Sequence, residues 1–140
     1  MTLILEKSCG AVIFTENKAG ERLWLIERMQ KGHASLCKGH VEGDETEQET
    51  AAREIREETG LSVRFLPGWQ RSIEYSPAPG RWKRVIFFLA KASQMQTVLQ
   101  PEEVREILWL PLEAALAELT YVSDRETLCA AADALEREAP

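Results

Sequence analysis

The sequence predicts one α/β domain in which a mixed β-sheet is sandwiched between α-helices. Three observations predict this fold class: the chain has 140 residues, 44% of them are hydrophobic, and short apolar runs alternate irregularly with segments that carry helix signals. This length suits a single compact domain with a core of its own. We therefore expect residues 1–140 to form one domain, without a linker or an internal repeat.

The first third of the chain predicts a β-hairpin followed by a loop. The runs SCGAVIFT (residues 8–15) and ERLWLIER (residues 21–28) are rich in strand-forming residues, and the turn residues NKAG lie between them. The next segment, residues 29–45, contains three glycines, and we expect a loop there.

A helix is predicted over residues 47–59. Thr46 and Glu49 have the spacing of a capping box, in which each residue binds the backbone of the other. Gly60 stands where a helix commonly ends on a left-handed residue. Both signals are local, so they fix the two ends of the helix.

The segment after this helix predicts further strands. Residues 61–75 contain the strand-like pieces LSVRFL and SIEY, and residues 76–80 have the composition of a turn. The continuous apolar run at residues 84–92 is typical of a central strand. EILWL, residues 106–110, predicts another short strand that Pro111 ends.

Two helices are predicted at the C-terminal end of the chain. The first covers residues 112–119, and the second starts near Ser123, because Ser123 and Glu126 repeat the capping-box spacing. Its apolar face would consist of Leu128, Ala131, Ala132 and Leu135. These helices complete the pattern of a sheet between helical layers.

The charge of the chain limits its partners. A net charge of −6, from 17 basic and 23 acidic side chains, argues against a nucleic-acid polymer as partner. A small phosphorylated ligand remains compatible, because a bound cation can supply positive charge. No apolar run approaches the length of a membrane span, and the first residues do not resemble a secretory signal. We therefore expect a cytoplasmic protein with no membrane partner.

The cysteines predict neither a disulfide framework nor a zinc site. Cys9, Cys37 and Cys129 are far apart, and no two of them form a CxxC pair. We expect three free thiols that are buried or half-buried.

The predicted helix at residues 47–59 collects acidic side chains on one face. Glu54, Glu57 and Glu58 are spaced i, i+3 and i+4, so they lie within a sector of about 100°. Like charges at this spacing destabilise a helix by about 0.2–0.5 kcal/mol per pair. A solvated acidic face is one explanation, and a site for a hard cation such as Mg²⁺, which binds clustered carboxylates, is the other.

The order of residues from Gly39 to Leu61 resembles the complete Nudix box. Gly39 is followed after five residues by Glu45, and after seven more by the run REIREETGL, residues 53–61. A match with so many fixed positions is specific. The resemblance implies a Nudix fold and Mg²⁺- or Mn²⁺-dependent hydrolysis of a nucleoside diphosphate linked to another group.

The resemblance also implies roles for individual residues. The metal ligands would be Gly39, Glu54, Glu57, Glu58 and Glu103. Of these, Glu57, Glu58 and Glu103 would also be catalytic, and Glu102 is the alternative to Glu103. Glu45 and Arg53 would form a structural ion pair that holds the loop against the helix.

Further segments resemble the asymmetrical diadenosine tetraphosphate hydrolases, a MutT-like branch of the family. They are KSCGAVIF, KGHVE and GWQRSIEYSPAPGRWKRVIFFLAKA. This likeness implies that Tyr75 stacks on adenine, that Lys83 contacts phosphate, and that Lys38 and His40 line the path of the polyphosphate. Ala34 and Cys37 depart from the W-x-x-P-K-G-H pattern of these enzymes, and the missing ring at Ala34 would reshape the nucleotide pocket.

Together these observations predict an enzyme that cleaves diadenosine tetraphosphate to ATP and AMP with Mg²⁺ or Mn²⁺. Its partner would be a small nucleotide, and a monomer and a homodimer both remain open. One alternative is a Nudix hydrolase of a nucleotide-sugar, ADP-ribose or a modified nucleoside triphosphate. Two less favoured alternatives are a non-catalytic nucleotide-binding module and a helical protein whose acidic face meets a basic partner.

Overall fold

The computed structural model describes residues 4–138, which form a mixed β-sheet and α-helices on both of its faces. The predicted fold class is confirmed. The strands are β1 (Ile4–Glu16), β2 (Arg22–Met29), β3 (Ala34–Ser35), β4 (Cys37–His40), β5 (Val63–Tyr75), β6 (Arg81–Ala92) and β7 (Val104–Leu110). The helices are α1 (Glu47–Thr59), α2 (Leu112–Glu118) and α3 (Val122–Glu138). None of the helices in residues 4–138 is long and apolar enough to cross a membrane.

Strand β1 organises the sheet. It runs parallel to β6 along almost its whole length, and β6 pairs with β5 in the antiparallel direction. On its other edge β1 changes partner: residues 8–11 pair with β4, and residues 14–16 pair with β2. β3 and β7 then pair with β2. This change of partner holds β4 and β2 side by side on one edge of β1.

The hydrophobic core lies on both faces of the sheet, because successive β1 side chains point in opposite directions. Ala11 and Ile13 pack in a cluster with Ile55 of α1. Val12 and Phe14 belong to the cluster on the opposite face. That second cluster includes Leu128, Ala131, Ala132 and Leu135 of α3, the apolar face that the sequence predicts. Burial of a large aliphatic or aromatic side chain stabilises the fold by about 1.5–3 kcal/mol.

The two ends of α1 agree with the sequence prediction. The backbone N–H of Glu49 donates to Thr46 Oγ1 at 3.1 Å, and the N–H of Thr46 donates to Glu49 Oε1 at 2.8 Å. Gly60 ends the helix with φ of 76°. All three cysteines are free thiols; Cys9 and Cys37 are buried as expected, whereas Cys129 is exposed, so the expected burial is wrong for Cys129.

Two local predictions are wrong. The segment at residues 29–45 is not a continuous loop, because β3 and β4 lie within it. β4 has no strand signal of its own and forms by pairing with the distant residues 8–11. Ser123 is not the cap of α3: the N–H of Arg125 donates to the carbonyl of Tyr121, so Tyr121 holds that position.

Candidate active site

Helix α1 presents its three glutamates to three different environments. The side chain of Glu57 is 49% exposed, that of Glu54 is 12% exposed, and Glu58 is 3% exposed. This gradient follows from their spacing, because Glu58 lies nearest the face that packs on the sheet. The predicted acidic face is therefore only partly solvated.

Arg53 connects this helix to the segment before it. Its Nε donates to Glu45 Oε2 at 2.7 Å, and its Nη2 donates to the carbonyl of His40 at 2.8 Å. Nη1 donates to Glu54 Oε1 at 2.9 Å and to Glu57 Oε2 at 3.1 Å. The hydrogen bond from Arg53 lowers the pKa of Glu45 to about 2. One guanidinium thus orients two candidate metal ligands and ties β4 to α1.

Gly39 approaches the helix so closely that a side chain at this position would displace the carboxylate of Glu54. A Cβ atom at this position would lie 2.0 Å from Glu54 Cδ and 2.3 Å from both carboxylate oxygens. The need for glycine is therefore steric, because the carboxylate of Glu54 occupies the space that a side chain would fill.

The predicted site residues line one cleft of about 400 Å³. The five candidate metal ligands lie there together with three predicted substrate contacts, although these residues come from β4, α1, β6 and the segment before β7. Burial lowers the pKa of Lys83, and the nearby charge of Lys38 lowers it further. The predicted residues that line this cleft are Gly39, Glu54, Glu57, Glu58, Glu103, Lys38, His40 and Lys83.

The structure distinguishes Glu103 from Glu102. Glu103 lines the cleft, and Glu102 does not occur among the cleft-lining residues of the part of the chain that the structure describes. The backbone carbonyl of Glu103 accepts from the N–H of Gln30 at 2.9 Å, and its own N–H donates to the carbonyl of Gln100 at 3.2 Å. These bonds fix Glu103 at the end of β2.

A second cavity of about 600 Å³ adjoins the cleft, and Lys38 lines both. Its apolar floor includes Val85 and Phe87, and its rim carries the exposed rings of Tyr75 and Tyr121. Of these, the sequence predicted only Tyr75. We name this the aromatic cavity.

Among the residues of the aromatic cavity that the sequence analysis did not assign to the site are His33, Tyr121 and Asp124. The rings of His33 and Tyr121 are 5.8 Å apart at 53°. Asp124 is 5% exposed, and within residues 4–138 its Oδ2 has no hydrogen-bond partner. Burial raises the pKa of Asp124, and the charge of Lys38 opposes that shift. Tyr121 and Asp124 were missed because the sequence signal there was interpreted only as a helix start.

The departures from the family pattern lie in the core rather than in the cavity lining. Ala34 is buried, its N–H donates to Thr120 Oγ1 at 2.8 Å, and it packs in the cluster that includes Val85 and Phe87. Among the described residues, neither cavity lining includes Ala34. Its effect on the pocket therefore acts through residues that do line the cavity.

Behind the cleft, a buried acidic residue from β2 meets the end of α1. Glu27 is 1% exposed and lies against Glu58 and Cys37, whose Sγ donates to Glu58 Oε1 at 3.4 Å. Burial raises the pKa of both carboxyl groups, and the charge of Glu27 raises that of Glu58 further. The sequence analysis missed Glu27, although a single acid within the apolar run RLWLIERM was a usable signal.

Comparison with known proteins adds a family assignment to this geometry. A model of the NUDIX domain matches residues 6–131. An 8-oxo-(d)GTP phosphatase of Mycolicibacterium smegmatis is 36% identical over 132 residues, which cover 87% of this chain but 40% of that protein. The asymmetrical bis(5'-nucleosyl)-tetraphosphatase of Mus musculus is 31% identical over 133 residues, which cover 87% of this chain and 90% of that enzyme.

A solved structure with a similar fold agrees with these relatives. The crystal structure of a C. elegans Ap4A hydrolase in a binary complex superposes with a TM-score of 0.84 at 26% identity. The match covers 94% of this chain and 98% of that chain. The likeness therefore extends beyond the acidic box to the strands and helices that form the aromatic cavity.

Proposed function

Because the chain belongs to the Nudix family, we propose that it hydrolyses a phosphoanhydride bond of a nucleoside polyphosphate, with diadenosine tetraphosphate cleaved to ATP and AMP. The membership that the box predicted is confirmed. One observation carries the substrate proposal: the acidic cleft and the aromatic cavity meet at Lys38. A single ligand can therefore hold a base in the cavity and its phosphates in the cleft.

The cleft fits Mg²⁺ or Mn²⁺ by the chemistry of its donors. The candidate ligands all offer oxygen, which hard cations prefer. Because Gly39 has no side chain, its backbone lies next to the carboxylate of Glu54. When bound, such an ion supplies charge neutralisation at the phosphate and lowers the pKa of a bound water. The groups that would hold it are the Gly39 carbonyl and the carboxylates of Glu54, Glu57, Glu58 and Glu103.

The remaining roles follow from position and charge. Lys38 and Lys83 would bind phosphate oxygens, and His40 at the same cleft would donate a further hydrogen bond. Glu103 or Glu58 would accept the proton of the attacking water. Burial raises the pKa of Glu58, so this carboxyl would have to lose its own proton before it could act as a base.

The aromatic cavity would hold one adenosine. Aromatic rings stabilise a stacked base by about 1–3 kcal/mol, and Tyr75 and Tyr121 offer two such surfaces on the cavity rim. The unpartnered oxygen of Asp124 can accept a hydrogen bond from an amino group on the base. The cavity thus provides both stacking and a polar contact.

The first test is a substrate panel with Mg²⁺: diadenosine tetraphosphate, ADP-ribose, a nucleotide-sugar and nucleoside triphosphates, with products resolved by ion-exchange chromatography. The proposal expects ATP and AMP from the dinucleotide. The double variant Glu57→Gln, Glu58→Gln should lose this activity, and Glu136→Gln, an exposed acid on α3, should keep it. Equal turnover by the double variant and the parent would overturn the proposal.

A second candidate is hydrolysis of a modified nucleoside triphosphate. Two observations favour it: one relative is an 8-oxo-(d)GTP phosphatase, and a buried carboxylate such as Asp124 can accept from the two adjacent N–H groups of a guanine edge. In the panel, faster release of pyrophosphate from 8-oxo-dGTP than of ATP from the dinucleotide would select this candidate.

A further inference from the structure

We propose that Glu27, Cys37 and Glu58 form an inner site for a transition-metal ion such as Zn²⁺ or Co²⁺, directly behind the cleft. This inference goes beyond the proposed hydrolysis and does not depend on it. The three residues come from β2, β4 and α1, and one ligand atom of each lies within 4.8 Å of the other two. We name this cluster the inner triad.

The inner triad concentrates acidic side chains in the protein interior. Glu27 and Cys37 are each 1% exposed, and Glu58 is 3% exposed. Glu27 Oε2 has no hydrogen-bond partner within residues 4–138. Within residues 4–138, neither Glu27 nor Glu58 forms an ion pair with a lysine or an arginine. Arg53, by contrast, pairs with the neighbouring Glu54 and Glu57. Two adjacent buried carboxyl groups require compensation, which a proton or a cation can provide.

The donor set selects the kind of cation. Mg²⁺ takes oxygen ligands, whereas a thiolate with carboxylates suits Zn²⁺, Co²⁺ or another transition metal. The cleft offers oxygen donors from its glutamates, and the inner triad adds the sulfur of Cys37. The two sites would therefore prefer different ions.

Glu58 connects the two sites. It lines the cleft, and its Oε1 is 3.4 Å from Cys37 Sγ on the inner side. Glu58 would therefore be a candidate ligand of both sites.

Cobalt spectroscopy tests the inner site without measuring hydrolysis. The full chain is freed of metal with EDTA, desalted, and titrated with Co²⁺ in saturating Mg²⁺. We expect one tightly bound Co²⁺ by elemental analysis and a near-ultraviolet thiolate-to-cobalt band. The variant Cys37→Ser should lose the band. Glu27→Gln should weaken Co²⁺ binding by at least about tenfold, which is the smallest loss of affinity typically seen when a residue that only supports a metal ligand is replaced.

Matched variants make each outcome decisive. Cys129→Ser removes the exposed thiol and Cys9→Ala removes the other buried one, and both should keep the band. Cys37→Ala should lose the band as Cys37→Ser does, and it also removes the oxygen that serine would offer to a metal. Circular dichroism checks that each variant is folded. Absence of bound Co²⁺ and of the band in the folded parent would overturn the proposal, and the two carboxyl groups would then share a proton. A band that survives Cys37→Ser would also overturn it.

Discussion

The acidic cleft and the aromatic cavity are neighbours built in different ways. Most of the cleft comes from one contiguous stretch, Lys38 to Glu58, in which a strand is followed by a short loop and then a capped helix. The aromatic cavity combines side chains from β4, β5, β6 and α3, which are far apart in the chain. Charge dominates the first region and apolar surface dominates the second. On the proposed function, the groups that carry out hydrolysis would be encoded mostly by a local segment, whereas substrate choice would depend on tertiary packing.

The largest effect should come from filling the space beside Glu54. Gly39→Ala places a methyl group 2.0 Å from the Glu54 carboxyl carbon, so the carboxylate must move. A displacement of about 1 Å costs about a hundredfold in rate, and we expect kcat to fall by that factor. Steady-state kinetics checks this, with thermal unfolding as the control for folding. An unchanged kcat would show that the position of Glu54 is not critical.

A smaller loss should follow from removing the guanidinium that orients the cleft. Arg53→Lys keeps the charge but cannot reach Glu45, Glu54 and the His40 carbonyl together. We expect kcat to fall about 10–100-fold, as when a partner of a metal ligand is lost. Metal titration of activity should show a higher requirement for Mg²⁺. An exposed arginine, Arg137→Lys, is the matched control.

The aromatic cavity should respond in KM rather than in kcat. Tyr121→Leu removes a ring on the cavity rim, and loss of stacking should raise KM for the dinucleotide about tenfold. Tyr121→Phe keeps the ring and should stay near the parent value. A fall in kcat with an unchanged KM would contradict the idea that the aromatic cavity binds substrate while the acidic cleft carries out the reaction.

The last expected change concerns the dependence of stability on pH in the presence of EDTA. Burial raises the pKa of Glu27 and Glu58, so these carboxyl groups keep protons in the folded state that the unfolded chain releases above its ordinary pKa of 4.5. Their contribution is complete below that pH and is lost as pH rises, by at most about 1.4 kcal/mol per pH unit for each proton. Urea unfolding between pH 5 and 8 should show a shallower decline for Glu27→Gln. An equally steep decline would assign the dependence to other groups.

The same contrast explains what could be predicted from the sequence. Helix α1 was predictable because its cap, its C-terminal glycine and the spacing of its glutamates are all local signals. Strand β4 was not, because residues 37–40 form a strand only by pairing with residues 8–11. The resemblance to a known box added the expected roles, which remain predictions for the individual residues.

The side chains that were missed share one property. Glu27, Tyr121 and Asp124 acquire their environment only when α1 and α3 pack on the sheet. A periodic pattern identifies which face of an element is buried, but it does not identify which distant group a buried acid will meet. Glu27 was detectable as an unusual residue, and its neighbours Cys37 and Glu58 were not.

Lys38 has a consequence for how this protein can change over evolution. It is the residue that lines both the acidic cleft and the aromatic cavity. If the aromatic cavity binds the base as proposed, substitutions in its walls would alter base preference while the glutamates of α1 stay as they are, so the two regions would diverge independently. Lys38 belongs to both regions, so a replacement would have to preserve the acidic cleft and the aromatic cavity at the same time. We therefore expect a change of substrate to arise from substitutions in β5 and α3, while Lys38 is retained because it contacts both regions.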